Sequence, residues 1–278
     1  MLTALTWASA PSAPAAADPW RPSLGDRLHL QLSGTLHVPT WATLVEVDGA
    51  EATADEVATL RQSGHRLVCY ISAGSAEDYR GDLDQLPPVV LGKRLEGWPD
   101  ERWLDIRRTD LLLPLMSQRI QDCARKGFDA IEFDNMDAYA NDTGFPITVA
   151  HQRRYARAVA EIARQHRLAP GLKNAPELVP SLVDAFDWAL VEQCVEFSTC
   201  RRYRPFISQG KPVFAIEYRN RGNRGCALAA KLGIDLQVKH RNLNDWTSPC
   251  SYPAAVVRRH LPWQLTGTLN VERVCLRS

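Results

Sequence analysis

Two apolar runs in this 278-residue sequence end on carboxylates. The first, FDAIEFDNMDAY (Phe128–Tyr139), delivers Asp134, with Asp137 in the next turn. The second, DWALVEQCVEFSTC (Asp187–Cys200), delivers Glu192, with Glu196 in the loop behind it. Two carboxyl groups flanking one bond, one ionised and one protonated, are the apparatus of glycoside cleavage. Asp134 is the candidate for the ionised member, and Asn135 and Lys173 are donors that could serve it. Glu192 is the candidate general acid, then base. Lys173 and Asn174 fall between the two in sequence. A lysine there could orient the Asp134 carboxylate, or form a Schiff base in an aldolase. Carboxylates on either side would keep it protonated, which argues against the nucleophilic role. Glu132 shares the strand parity of Asp134 and receives no assignment.

Other chemistries lack their signatures. There is no GxSxG elbow and no glycine pattern of the dinucleotide-binding or phosphate-loop kind. Asp48, Asp134 and Asp137 together could hold a hard divalent cation, but lysines on the same rim oppose it. No metal and no cofactor are expected.

The elements that must position these residues alternate. Strand candidates are Thr43–Asp48, Arg66–Ser72, Arg102–Asp105, Phe128–Asp134, Ala169–Lys173, Asp187–Glu192, Pro212–Glu217 and Ile234–Val238. Amphipathic stretches separate them, at Ala52–Gln62, Leu111–Lys126, Val149–His166, Pro176–Ala185 and Arg224–Leu232. Strands alternating with helices imply parallel βαβ units, and eight of them imply a closed barrel. The fold class is α/β, a single-domain (β/α)8 TIM barrel. Leu28–Leu32 reads as a short strand before it. In such a barrel the strand ends converge on one rim, where active sites are built. Substrate-binding candidates on or beside that rim are Asp48, Tyr70, Asp105, Asn135, Asp137, Lys173, Asn174, Glu217 and Tyr218. Lys239 ends the last strand. Asp82–Asp105 reads as an irregular loop whose Trp98 and Trp103 could line sugar subsites.

The chain carries 33 Lys and Arg against 32 Asp and Glu, a net charge of +1. That gives no electrostatic argument for a nucleic-acid partner. Residues 1–17 are rich in Ala, Pro and Ser and resemble a signal peptide lacking its basic start. The barrel is assigned residues 18–252 and a C-terminal extension 253–278. No run of 18 apolar residues is present, so no membrane span is expected. Among seven cysteines no CxxC pair occurs. Cys194–Cys200 and Cys226–Cys250 read as local disulfides of an oxidising compartment. Cys69 and Cys123 read as buried thiols and Cys275 as a free one.

Six motifs in order carry a resemblance: LVCYISAGSAEDYR (Leu67–Arg80), GWPDERWLDIR (Gly97–Arg107), GFDAIEFDNMDAY (Gly127–Tyr139), GLKNAPEL (Gly171–Leu178), VEQCVEF (Val191–Phe197) and GKPVFAIEY (Gly210–Tyr218). Together they resemble glycoside hydrolase family 114, the endo-α-1,4-polygalactosaminidases. The resemblance implies a TIM barrel that hydrolyses α-1,4-linked galactosamine in galactosaminogalactan-type polymers; the leader-like start and the disulfides imply a secreted, extracellular protein. It places the nucleophile on Asp134 and the acid/base on Glu192, in a retaining mechanism with carboxyls about 5–5.5 Å apart. A cationic polymer implies an acidic cleft, for which Asp48, Glu77, Asp105, Asp137 and Glu217 are the candidates. A monomer is expected. The competing expectation is a non-catalytic barrel that binds amino-sugar polysaccharide.

Overall fold

The barrel strands are short runs whose alternate side chains face opposite sides, so each needs apolar partners both inside and outside. A computed structural model describes residues 18–218 and 222–250. In chain order the strands are β1 (Leu28–Leu30), β2 (Leu44–Asp48), β3 (Arg66–Ser72), β4 (Ser75–Glu77), β5 (Leu91–Leu95), β6 (Trp98–Leu104), β7 (Ala130–Asp134), β8 (Ala169–Lys173), β9 (Trp188–Glu192), β10 (Val213–Glu217), β11 (Asp235–Lys239) and β12 (Thr247–Pro249). The helices are α1 (Ala54–Gln62), α2 (Thr109–Lys126), α3 (Val149–Gln165), α4 (Val179–Leu182), α5 (Arg204–Ser208) and α6 (Gly222–Leu232).

The main sheet runs β1-β2-β3-β7-β8-β9-β10-β11-β12. All neighbours are parallel except β12, which returns antiparallel to β11. The eight parallel strands curl into a (β/α)8-type barrel. Side chains bridge its seam: the Gln237 amide donates to the Leu28 carbonyl at 2.7 Å, and the Leu28 N–H donates to Asp235 Oδ2 at 3.3 Å. No helix among the described residues is long and apolar enough to cross a membrane.

Two apolar cores follow from the alternation. Leu44, Val68, Ala130, Ala169, Trp188, Leu190, Phe214 and Ile216 fill the barrel interior. The opposite parity, such as Val45, Cys69, Ile131, Leu172, Val191 and Ala215, packs under the helices. Helix ends are fixed locally. Thr53 and Glu56 form a capping box on α1, Thr148 and His151 one on α3, and Gly127 closes α2 at φ 95°.

Gly171 shows how tightly the interior is filled. The Trp188 indole lies across it, and a Cβ there would sit 2.3 Å from the ring. The indole N–H donates to the Ala169 carbonyl at 3.0 Å, which fixes the ring in place. Gly171→Ala is therefore expected to cost about 1–3 kcal/mol or more through overpacking. Chemical denaturation checks it; a variant as stable as the parent would show that the ring moves freely.

Several expectations are corrected. Arg102–Asp105 is not a barrel strand: β3 pairs directly with β7, leaving no place between them. Arg102–Leu104 belong to β6, in an antiparallel sheet ordered β4-β6-β5 beside the barrel, and Asp105 follows its end. Asp82–Asp105 thus holds two strands rather than an irregular loop. The eighth barrel position is filled by β1, so the Leu28–Leu32 run belongs to the barrel rather than preceding it. The stretch Pro176–Ala185 forms only the single turn α4. Cys69 and Cys123 are not thiols but a disulfide joining β3 to α2, with Cα atoms 6.0 Å apart. Cys194–Cys200 and Cys226–Cys250 are disulfides as expected. The leader, the C-terminal extension and Cys275 lie outside the described residues.

Candidate active site

Three adjacent strands, β7, β8 and β9, build the centre of the rim. Each ends on a charged residue of inward parity, Asp134, Lys173 and Glu192. The next residue in each case enters the left-handed region: Asn135 at φ 60°, Asn174 at φ 49° and Gln193 at φ 56°. Asparagine tolerates that region better than most side chains. The turn lifts the chain away at once, so the charged side chain stands alone over the barrel mouth.

Asp134 is held by three donors. Its Oδ1 accepts the Asn135 N–H at 2.7 Å and the Lys173 ammonium at 3.1 Å. Its Oδ2 accepts the Tyr70 hydroxyl at 3.0 Å. Its carbonyl accepts the Ala73 and Gly74 N–H groups, both at 3.1 Å. Gly74 is required there, because a Cβ would fall 1.8 Å from the Asn135 oxygen. Glu192 Oε1 accepts the Tyr218 hydroxyl and lies 3.7 Å from Lys173 Nζ. The Glu192 N–H donates to Asn174 Oδ1 at 3.0 Å. Burial raises the phenols of Tyr70 and Tyr218 well above their usual range, and Asp134 and Glu192 beside them add to it. Both phenols therefore keep their protons, and each donates to its carboxylate.

Lys173 is buried, while Asp134 and Glu192 are about one-fifth exposed and reachable from solvent. Burial pushes the ammonium down. Asp134, Glu132 and Glu192 together push it up further, holding it well above the ordinary lysine range. It stays a cation, which removes the Schiff-base chemistry.

The cleft above has a volume of about 470 Å³. Glu101 and Asp137 lie in its wall. Burial, opposed by a hydrogen bond from Ser75, raises Glu101 to about 7. Burial and the Asp134 charge raise Asp137 to about 6. Tyr79 and Trp98, both exposed, and the buried Trp103 line the same cleft.

The sequence matches the glycoside-hydrolase family GH114 over residues 9–255. The chain belongs to family GH114. Among solved structures it resembles Aspergillus fumigatus Ega3 in complex with galactosamine, with 30% identity and a TM-score of 0.79, covering 86% of this chain and 100% of that one. It also resembles the glycoside hydrolase domain of PelA from Pseudomonas aeruginosa, at 18% identity and TM-score 0.59, covering 79% and 96%. At that identity the likeness is one of fold. An uncharacterized Deinococcus radiodurans protein is 28% identical over 198 residues, 62% of each chain, so the match spans under two thirds of that relative.

In this GH114 chain the structure gathers Asp134, Glu192, Lys173, Asn135, Asn174, Tyr70, Tyr218 and Asp137 at one cleft. Asp48 reaches only its edge, where Arg80 grips both carboxylate oxygens. Two other candidates do not belong. Asp105 left the barrel with β6 and is buried against Arg107, at 2.7 and 2.8 Å. Glu217 has the outward parity of Val213 and Ala215, and accepts the Val195 N–H at 2.8 Å beneath the helices. Of the remaining acidic-rim candidates, Glu77 lines the cleft but is bound by Arg80 and Tyr79. Lys239 is fully buried in the barrel. Sequence reading missed Glu101, whose β6 strand carries it back over the rim, and the buried Glu46. The inward parity of Glu46 on VEVD was the available signal.

Proposed function

We propose that this chain is a secreted, retaining endo-glycosidase that hydrolyses α-1,4-linked galactosamine polymers of the galactosaminogalactan type. Asp134 is the nucleophile and Glu192 the acid/base. The observation that carries this is Lys173 Nζ lying 3.1 Å from Asp134 Oδ1 and 3.7 Å from Glu192 Oε1. Laid end to end, those distances place the two oxygens no more than about 6.8 Å apart. That bound admits the about 5–5.5 Å of retaining enzymes and leaves only the short end of the inverting range, about 6.5–9.5 Å. A non-catalytic binding barrel has no use for such a pair.

The reaction follows from the contacts. Asp134 attacks the anomeric carbon while Glu192 gives its proton to the departing glycosidic oxygen. Water then attacks the same carbon, Glu192 takes its proton, and Asp134 leaves as a carboxylate. Lys173 serves both halves. Its charge faces Asp134 while Asp134 is the anion, and faces Glu192 once Asp134 is esterified and Glu192 has become the anion.

An amino-sugar substrate is supported by the galactosamine complex of Ega3, which shares 30% of its sequence with this chain. Glu101 and Asp137 supply carboxyls in the cleft wall for a cationic chain. Export is supported by three disulfides. The test is digestion of a partially deacetylated α-1,4-galactosamine polymer, read by mass spectrometry for oligomers and by proton NMR for the first anomer released. Oligomers bearing α-anomers are expected. First-formed β-anomers would overturn the retaining mechanism, and no cleavage would overturn the substrate.

A further inference from the structure

Beneath the reacting pair the barrel holds two carboxyls that the mechanism above does not use. Glu132 on β7 and Glu46 on β2 are both fully buried. Glu132 Oε1 lies 3.2 Å from Lys173 Nζ. The ammonium therefore faces three carboxylates from different directions: Asp134 and Glu192 on the rim, and Glu132 one inward step lower on β7. Only Asp134 takes a hydrogen bond from it; Glu132 and Glu192 act on the ammonium as charges at 3.2 and 3.7 Å. Without the lower partner, both attractions on Lys173 come from the reacting side.

We propose that Glu132 is a positioning residue for glycoside hydrolysis: its carboxylate holds the Lys173 ammonium between Asp134 and Glu192 and adds a fixed negative charge beneath the reacting pair. This rests on Asp134 and Glu192 being the reacting carboxyls.

The surrounding groups set the charge states. Facing Glu132 are Glu46 from β2, Tyr70 from β3, Asp134 on its own strand, Lys173 from β8 and Glu192 from β9, with Tyr218 after β10 touching Glu192. Both tyrosines are neutral. Lys173 is the one cation in this group. Burial and the neighbouring Glu132 drive the Glu46 carboxyl well above its usual range. Burial also raises Glu132, but Lys173 opposes it. The Lys173 ammonium 3.2 Å away makes Glu132 the member that carries the charge in this proposal, with Glu46 the protonated one. A proton on Glu46 also explains how two carboxyls can lie together with Lys173 as their one neighbouring cation among the described residues.

The sign follows. Removing a negative charge from beneath a general acid makes its proton easier to lose, so the alkaline limb of the rate profile is the place where the loss of Glu132 is read. Glu132→Gln keeps the shape and removes the charge. Its expected effect on polymer hydrolysis is a fall in kcat of about tenfold or more, KM within about twofold, and an alkaline limb of the kcat/KM profile about one pH unit lower. A purely structural side chain would lower the fraction of folded protein without moving the limb.

The companion readout is the pH titration of the Lys173 ε-carbon in 13C-lysine-labelled protein, assigned with Lys173→Arg. Its midpoint is expected to move down by a similar interval in Glu132→Gln. Active enzyme with limb and midpoint both at their parental positions would overturn the proposal. A displaced midpoint in protein that cleaves no galactosamine polymer would uphold the charge coupling and overturn the catalytic reading instead. If Glu132→Gln does not fold, Glu132→Asp keeps the charge but withdraws it by one methylene. A kcat reduced about fivefold with the limb unmoved is then expected, and parental kcat would overturn the proposal.

Discussion

Asp134→Asn is expected to reduce kcat on a galactosamine polymer by about 10⁴-fold or more, the scale seen when a nucleophile is removed. That corresponds to at least about 5.5 kcal/mol of lost transition-state stabilisation. The amide keeps the volume of the carboxyl, and its one oxygen can still accept from the Asn135 N–H while its nitrogen takes the place facing Tyr70, but it cannot form the glycosyl ester. Lys173 retains two carboxylate partners, Glu132 and Glu192. Folding should therefore survive, with a melting temperature near that of the parent. Glu192→Gln should behave differently. Loss of the general acid costs about 10²–10⁴-fold on the polymer, whose leaving group is a sugar hydroxyl. An aryl glycoside departs without a proton, so its first step should be nearly spared and the glycosyl-enzyme should accumulate as a burst. Only Glu192→Gln should show this dependence on the leaving group. If both variants, folded, cleave the polymer at the parental rate, the assignment fails. If Asp134→Asn shows the leaving-group dependence instead, the two roles are exchanged.

How far the sequence carries this site depends on what each residue relies on. Asp134, Lys173 and Glu192 each end an apolar run, and their neighbours Asn135, Asn174 and Gln193 turn the chain away. Those signals are local and sufficient. Glu217 ends an apolar run as well, yet points outward, because position within the period of two decides the face. Counting back through Ala215 and Val213 gives that parity. Arg102–Asp105 has the composition of a barrel strand, but period alone does not say which sheet a strand joins. That choice is made by β3 pairing with β7, a non-local event. Glu101 enters the cleft only because β6 folds back across the rim onto β4. Its bond from Ser75 spans 26 positions, which no local pattern encodes. Glu46 and Glu132 carry the right parity, but burial with Lys173 is what gives them a purpose.

The Cys69–Cys123 disulfide belongs to the same non-local class, and it carries the second large effect. It closes 54 residues, against 24 for Cys226–Cys250 and 6 for Cys194–Cys200. On the chain-entropy account the three contribute about 4, 3.5 and 2 kcal/mol. The double variant Cys69→Ala/Cys123→Ala is expected to melt about 8–16 °C lower, at about 2–4 °C per kcal/mol for a chain of this size. Both sulfurs lie in the packed layer between β3 and α2, away from the cleft. Activity of the folded fraction at low temperature should therefore be nearly parental. Cys194→Ala/Cys200→Ala should divide the other way. Its loop begins two residues after Glu192 and is tied down by Glu217 through the Val195 N–H. Freeing it loosens the base of the Glu192 turn, so kcat should fall about tenfold while the melting temperature drops by about half as much as in the first variant. Scanning calorimetry and steady-state kinetics on both variants separate the two effects. A Cys69/Cys123 variant that melts with the parent would show that the layer between β3 and α2 is held by packing alone, and that the crosslink follows from their proximity rather than securing it.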